Sequence, residues 1–150
     1  MINLPDYKKI HCIGIGGIGL SAIAEILLSR GYEVSGSDMR ESEMTERLIE
    51  QGARIYLGHR AKNVDDVDLV IYSSAIGKDN PELARADERG IPAITRAQAL
   101  GVLMDEYRNS IAVSGTHGKT TTTSMVSLIL KEAQKEPTIL VGGNLAEIDG

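Results

Sequence analysis

Within the first 107 residues, short apolar runs alternate with longer helical patterns, and this alternation leaves few architectures open. The runs "KIHCIGI", "EVSGSD", "VDLVIYSSA" and "PAIT" are followed by helical patterns over residues 18–29, 41–51, 81–89 and 96–107. Strands separated by helices enter a sheet in parallel, because each helix carries the chain back to the same end; the fold class is α/β with a Rossmann-like parallel sheet. Local punctuation agrees. Gly31, Gly52 and Gly90 each follow a helical segment where a left-handed residue is wanted, and Asn80 before Pro81 supplies an N-cap with proline in the first turn. Thr95 with Gln98 fits a capping box. The chain has no Phe or Trp, so its core is built from Ile, Leu, Val, Ala and Met.

Between the first run and the first helix lies "GIGGIG" (Gly14, Ile15, Gly16, Gly17, Ile18, Gly19), which satisfies G-x-G-x-x-G. Side chains at the three key glycines would block a tight turn, the approach of a diphosphate, and helix packing on the sheet. The helix N-terminus then offers unpaired N–H groups to an anion. Asp38 ends the second strand, where an acid accepts from ribose hydroxyls. Together these point to a phosphate-bearing nucleotide; glycines that serve close packing alone are the plainer alternative. NAD is the default ligand of such a layout, and nothing in residues 1–40 excludes it.

Near Asn109 the pattern restarts with a strand "SIAVSG", a helix over about residues 118–133, and a strand "TILVGG". A boundary falls there, giving a first domain at residues 1–107 and the opening βαβ unit of a P-loop ATPase-type domain at 108–150. In "GTHGKT", Gly118 precedes Lys119 and Thr120 after a strand and before a helix. Curled backbone amides hold phosphates, a lysine ammonium reaches the β- and γ-phosphates, and a hydroxyl meets magnesium. Val113 stands where the usual loop has its early glycine, so the loop is short. His117 either shapes the turn or touches substrate. Two phosphate loops suit an enzyme that spends ATP on a nucleotide-linked substrate better than they suit a dehydrogenase.

A net charge of -5 leaves no surplus of Lys and Arg for nucleic acid or an anionic membrane. The single cysteine, Cys12, lies in a strand and provides neither a disulfide nor a zinc set. No leader pattern and no long apolar run occurs, so a cytoplasmic location is expected.

The motifs "HCIGIGGIGLSAIAEILLSRGYEVSGSD", "GHRAKNV", "VIYSSAIGKDNPELARADERGIP" and "AVSGTHGKTTTTSMVSLIL" resemble the Mur ligases of peptidoglycan synthesis, in the family's order and over nearly the whole chain. The resemblance implies a Rossmann-like domain that holds a UDP-sugar rather than NAD, and makes the short loop an ATP loop. It places residues 14–19 at the UDP diphosphate, Ser37 and Asp38 on the uridine side, and Ser73 and Ser74 at the substrate face. His59 becomes a uridine contact, though by itself it reads as a loop residue, and the two serines as the end of a strand. Gly115, Thr116, His117, Gly118, Lys119, Thr120 and Thr121 become the ATP loop, with Lys119 on the β/γ-phosphates and Thr120 a ligand of Mg2+. The implied reaction joins L-alanine to UDP-N-acetylmuramate: ATP converts a poor electrophile, the carboxylate, to an acyl phosphate that the amine attacks.

The resemblance also implies a catalytic glutamate, a histidine and a modified lysine beyond Gly150. The 150 residues are therefore expected to bind substrate without ligating, and the incomplete second segment to pack on a neighbour, self-associate or be partly disordered. An NAD(H)-binding module and the related ligase that attaches murein tripeptide are the alternatives.

Overall fold

The first apolar run becomes β1 (Lys9–Ile13), and α1 (Ile18–Ser29) returns the chain to β2 (Glu33–Asp38). There follow α2 (Glu43–Glu50), β3 (Arg54–Leu57), β4 (Leu69–Tyr72), α3 (Pro81–Glu88), β5 (Ala93–Thr95) and α4 (Arg96–Asp105). The computed structural model describes residues 2–141, and the chain divides into two units, Met1–Arg108 and Asn109–Gly150. In the first unit all strand pairs are parallel and the order is β3-β2-β1-β4-β5. Cys12 of β1 pairs in register with Gly36 on one side and Ile71 on the other. The chain builds outward from β1 first to β2 and β3, then in the opposite direction to β4 and β5. Sheets of this kind take ligands at the carboxyl ends of the strands where the order reverses, here β1 and β4.

Side chains alternate across the sheet. Ile10 and Cys12 face one side and pack with Leu20, Ile23, Leu48 and Leu103 of α1, α2 and α4. Ile13 and Val70 face the other side and meet Val64 and Ala86. Both faces are therefore covered, which explains why β1 and β4 read as continuous apolar runs. His11, between Ile10 and Cys12, shares the second face and is fully buried. Burial pushes the Cys12 thiol up to about 12, so it is an unreactive core group.

The punctuation signals hold. Gly31, Gly52 and Gly90 have φ of 84°, 102° and 66° after α1, α2 and α3. Asn80 Oδ1 accepts from the amides of Glu82 and Leu83, and Thr95 and Gln98 cap each other. The sequence reading missed β3, an edge strand whose residues are all partly or fully exposed and which lacks a continuous apolar run.

In the second unit the expected helix is α5 (Lys119–Glu132). The strands expected to flank it differ: among the described residues, 110–115 and 138–141 make no ladder, and 142–143 lie outside the described residues. Ladder hydrogen bonds come from a neighbouring strand. An apolar run records the tendency and not the neighbour. Among the described residues no helix is long and apolar enough to cross a membrane.

Candidate functional site

The loop after β1 is fastened from beneath. The amides of Gly14 and Ile15 donate to the Ser37 carbonyl at 2.8 and 3.1 Å, and that of Gly17 donates to the Gly14 carbonyl at 3.2 Å. The Ile15 side chain turns inward and is fully buried. Gly36 makes this possible: a Cβ there would stand 2.5 Å from Ile15 Cδ1 and 2.8 Å from the Cys12 carbonyl oxygen. The Gly16 amide donates to Asp38 Oδ2 at 2.9 Å. Of residues 14–19, only Ile18 and Gly19 keep amides with no protein acceptor among the described residues, and N-cap Gly17 brings no side-chain cap. These are the first amides of α1, at its partially positive end, where an anion is favoured.

Two features at this edge were not anticipated from sequence. Arg96 opens α4, and its side chain lies across Gly19, where a Cβ would meet Arg96 Cδ at 3.1 Å and Nε at 3.3 Å. The third glycine of the motif therefore makes room for a guanidinium beside the free amides. The second is a polar layer between the sheet and α3. Glu82 is fully buried, and its Oε2 lies 2.7 Å from Ser37 Oγ and 2.9 Å from His59 Nδ1. Its Oε1 lies 2.7 Å from Asn63 Nδ2 and 3.3 Å from His11 Nε2. Burial alone would raise the Glu82 carboxyl; the hydrogen bonds from His11, Ser37 and Asn63 outweigh it and hold the group below its ordinary 4.5. No buried side-chain N or O among the described residues lacks a partner.

The expected residues divide accordingly. Asp38 caps the loop and also lines a cleft with Arg40, Thr45, Ile55, Tyr56 and Leu57, beyond β2 and β3. Ser73 is half-buried beside the loop: a Cβ at Gly14 would stand 3.3 Å from its Cβ. Ser74 is exposed. Ser37, expected on the uridine side, is instead fully buried, with its hydroxyl given to Glu82. The period-two alternation of β2 turns it inward, so it supports the site from below. His59 is intermediate, its side chain 15% exposed.

In the second unit the loop before α5 turns at Gly118, whose φ of 76° suits glycine. Lys119 Nζ donates to the carbonyls of Gly115 at 2.6 Å and Thr116 at 3.3 Å, curling back over the loop. His117, Thr120 and Thr121 are exposed. Amides at the start of α5, an ammonium and a first-turn hydroxyl suit a nucleoside triphosphate with its magnesium.

Comparison with known proteins decides the family. The model described as "Mur ligase family, catalytic domain" matches residues 9–108. The chain belongs to the Mur ligase family. Among relatives, the UDP-N-acetylmuramate--L-alanine ligase of Alkaliphilus metalliredigens is 56% identical over 150 residues, 99% of this chain and 33% of that protein. That of Clostridium acetobutylicum is 59% identical over 143 residues, 95% of this chain and 31% of that protein. Among solved structures, the UDP-N-acetylmuramate-alanine ligase MurC of Thermotoga maritima superposes with a TM-score of 0.87 at 42% identity, covering 95% of this chain and 33% of that one. The Neisseria meningitides UDP-N-acetylmuramate:L-alanyl-gamma-D-glutamyl-meso-diaminopimelate ligase gives 0.87 at 32%, covering 95% and 45%. The chain thus spans about a third of the length of the curated relatives it matches. Mur ligase membership does not favour the NAD(H)-module reading.

Proposed function

We propose that residues 1–107 hold UDP-N-acetylmuramate and that residues 108–150 begin the ATP-binding domain of a cytoplasmic ligase that joins L-alanine to this substrate. The observation that carries the reading is 56% identity over 99% of the chain to a relative so named. Identity to the solved alanine ligase is higher than to the solved tripeptide ligase, 42% against 32%, which favours alanine as the amine.

The site supports it. The free amides of Ile18 and Gly19, with the Arg96 guanidinium over Gly19, suit a diphosphate at the reversal point of the sheet. Asp38 lines the cleft with Tyr56 and Leu57, where a nucleoside would extend, and His59 follows β3 at the same carboxyl edge of the sheet. Ser73 and Ser74 then face the sugar. ATP supplies the phosphoryl group that activates the carboxylate. This chain's own part is positioning and charge: Lys119 is drawn from its loop carbonyls to the β/γ-phosphates, and Thr120 offers its hydroxyl to Mg2+. Residues 1–150 bind the sugar nucleotide without ligating.

Calorimetric titration tests this. UDP-N-acetylmuramate should give saturable heat with the folded protein, and NADH no change in fluorescence. Absence of heat with the first, or binding of the second in its place, refutes the reading.

A further inference from the structure

We propose that Glu82 is a positioning residue that fixes the tautomer of His59, and that this makes the base pocket selective for a nucleobase presenting a ring N–H. The inference rests on the reading of this edge as a uridine-nucleotide site.

His59 Nδ1 lies 2.9 Å from Glu82 Oε2 and 2.9 Å from Ser37 Oγ. A carboxylate oxygen so close to a ring nitrogen needs a hydrogen between them, and a carboxylate brings none. Ser37 does not bring it either, because its own hydrogen is directed to the same oxygen at 2.7 Å. The hydrogen therefore sits on Nδ1. The rest of the layer closes on the same assignment. Asn63 donates to Oε1 at 2.7 Å. His11 Nε2 lies 3.3 Å from Oε1 and by the same count carries a hydrogen pointed at it, while its Nδ1 lies 2.8 Å from Ser35 Oγ. Four donors meet the roughly four lone-pair sites of one carboxylate. The low carboxyl pKa agrees with this saturation.

A neutral imidazole with its hydrogen on Nδ1 has a bare lone pair on Nε2. Nδ1 faces the buried layer, so Nε2 lies on the opposite edge of the ring. The His59 side chain is 15% exposed while that of Glu82 is 0% exposed. His59 thus presents a hydrogen-bond acceptor at the edge of the sheet that carries Asp38 and the glycine loop. Uracil carries a ring N–H on its pairing edge and can donate to it. Cytosine carries a bare ring nitrogen there and would set lone pair against lone pair. The buried layer thereby converts a proton position into a preference between two pyrimidines of nearly equal size.

The test begins with nitrogen-15 NMR of the native 150-residue chain near pH 7.5, which separates both neutral tautomers and the cation. His59 should show a protonated Nδ1 and a bare Nε2. The Nε2–H tautomer or the doubly protonated ring overturns the proposal. UDP and CDP are then titrated against the native protein and Glu82→Gln. In the variant the amide oxygen keeps Asn63 and His11, and its NH2 turns to His59 Nδ1, driving the hydrogen to Nε2. The native protein should prefer UDP by about tenfold or more, and the variant should lose or reverse that preference. A folded variant that keeps the native preference overturns the proposal; should the variant not fold, the NMR result on the native chain decides. Binding of neither nucleotide by the native protein refutes the uridine reading and this inference with it. Binding of UDP with the hydrogen on Nε2 refutes this inference alone.

Discussion

Gly36→Ala probes how the nucleotide loop is held. The added methyl would stand 2.5 Å from Ile15 Cδ1, 2.8 Å from Ile15 Cβ and 2.8 Å from the Cys12 carbonyl oxygen. Two of these neighbours belong to a side chain that can move; the third is backbone of the central strand, in register with Gly36, and cannot. Ile15 must therefore leave its fully buried seat. Overpacking of this kind costs about 1–3 kcal/mol, and partial loss of a buried Ile adds a share of its ~1.5–3 kcal/mol. The lower entropy of an unfolded chain with alanine returns only about 0.4–1 kcal/mol. A net loss of about 2–3 kcal/mol is expected, or a fall in Tm of roughly 8 °C or more for a unit of this size. Because Ile15 anchors the loop, UDP affinity should fall as well. Thermal melts followed by circular dichroism measure the first effect and titration the second. Gly101→Ala is the control: in α4, with no atom within 4 Å of its missing methyl, it should stabilise by about 1 kcal/mol. A Gly36→Ala protein melting within about 2 °C of the native one would refute the account of the loop.

Glu82 binds its proton less tightly when folded than its ordinary 4.5, so the native state holds fewer protons around that pH than the unfolded state. Its contribution is fully present above 4.5 and is lost as pH falls through the lower folded value; urea midpoints between pH 3 and 7 should drop more steeply for native protein than for Glu82→Gln, and parallel curves would contradict the direction. Lys119→Ala should weaken ATP binding by about tenfold or more, equivalent to ~1.4 kcal/mol, while leaving UDP binding unchanged; equal ATP affinity would remove Lys119 from the phosphate site. With its thiol pushed up to about 12 and fully buried, Cys12 should react with a thiol reagent at pH 8 only as fast as the chain unfolds, and rapid stoichiometric labelling of the native protein would contradict this.

The features legible in sequence were those carried by local rules. α1 falls at residues 18–29 as read, the three glycines after helices take positive φ, and the Asn80-Pro81 and Thr95–Gln98 caps are in place. The glycine loop announced itself because its spacing encodes a turn and a helix start together. Glu82 did not, since an acid in the first turn of a helix reads as a complement to the helix dipole. Only the fold shows that its carboxylate crosses to the sheet. His11 carried a readable signal, a polar ring in the middle of "KIHCI" where Ile10, Cys12 and Ile13 are all buried. A buried titratable group in a central strand demands partners, and asking which polar residues could reach it would have led towards the layer. Arg96 was hidden for a different reason: its approach to Gly19 joins residues far apart in the chain, and no spacing rule connects them.

The inward-pointing Ile15 has a consequence for how a ligand is received. Most backbone donors of the turn are already committed within the protein, and the Ile15 side chain is rooted in the interior. The receptacle is consequently set before any guest arrives, and association need not freeze a wandering segment, so little ordering entropy is subtracted from the affinity. Recognition here behaves as a lock cut in advance: swapping the guest alters the match while the shape of the keyway stays constant.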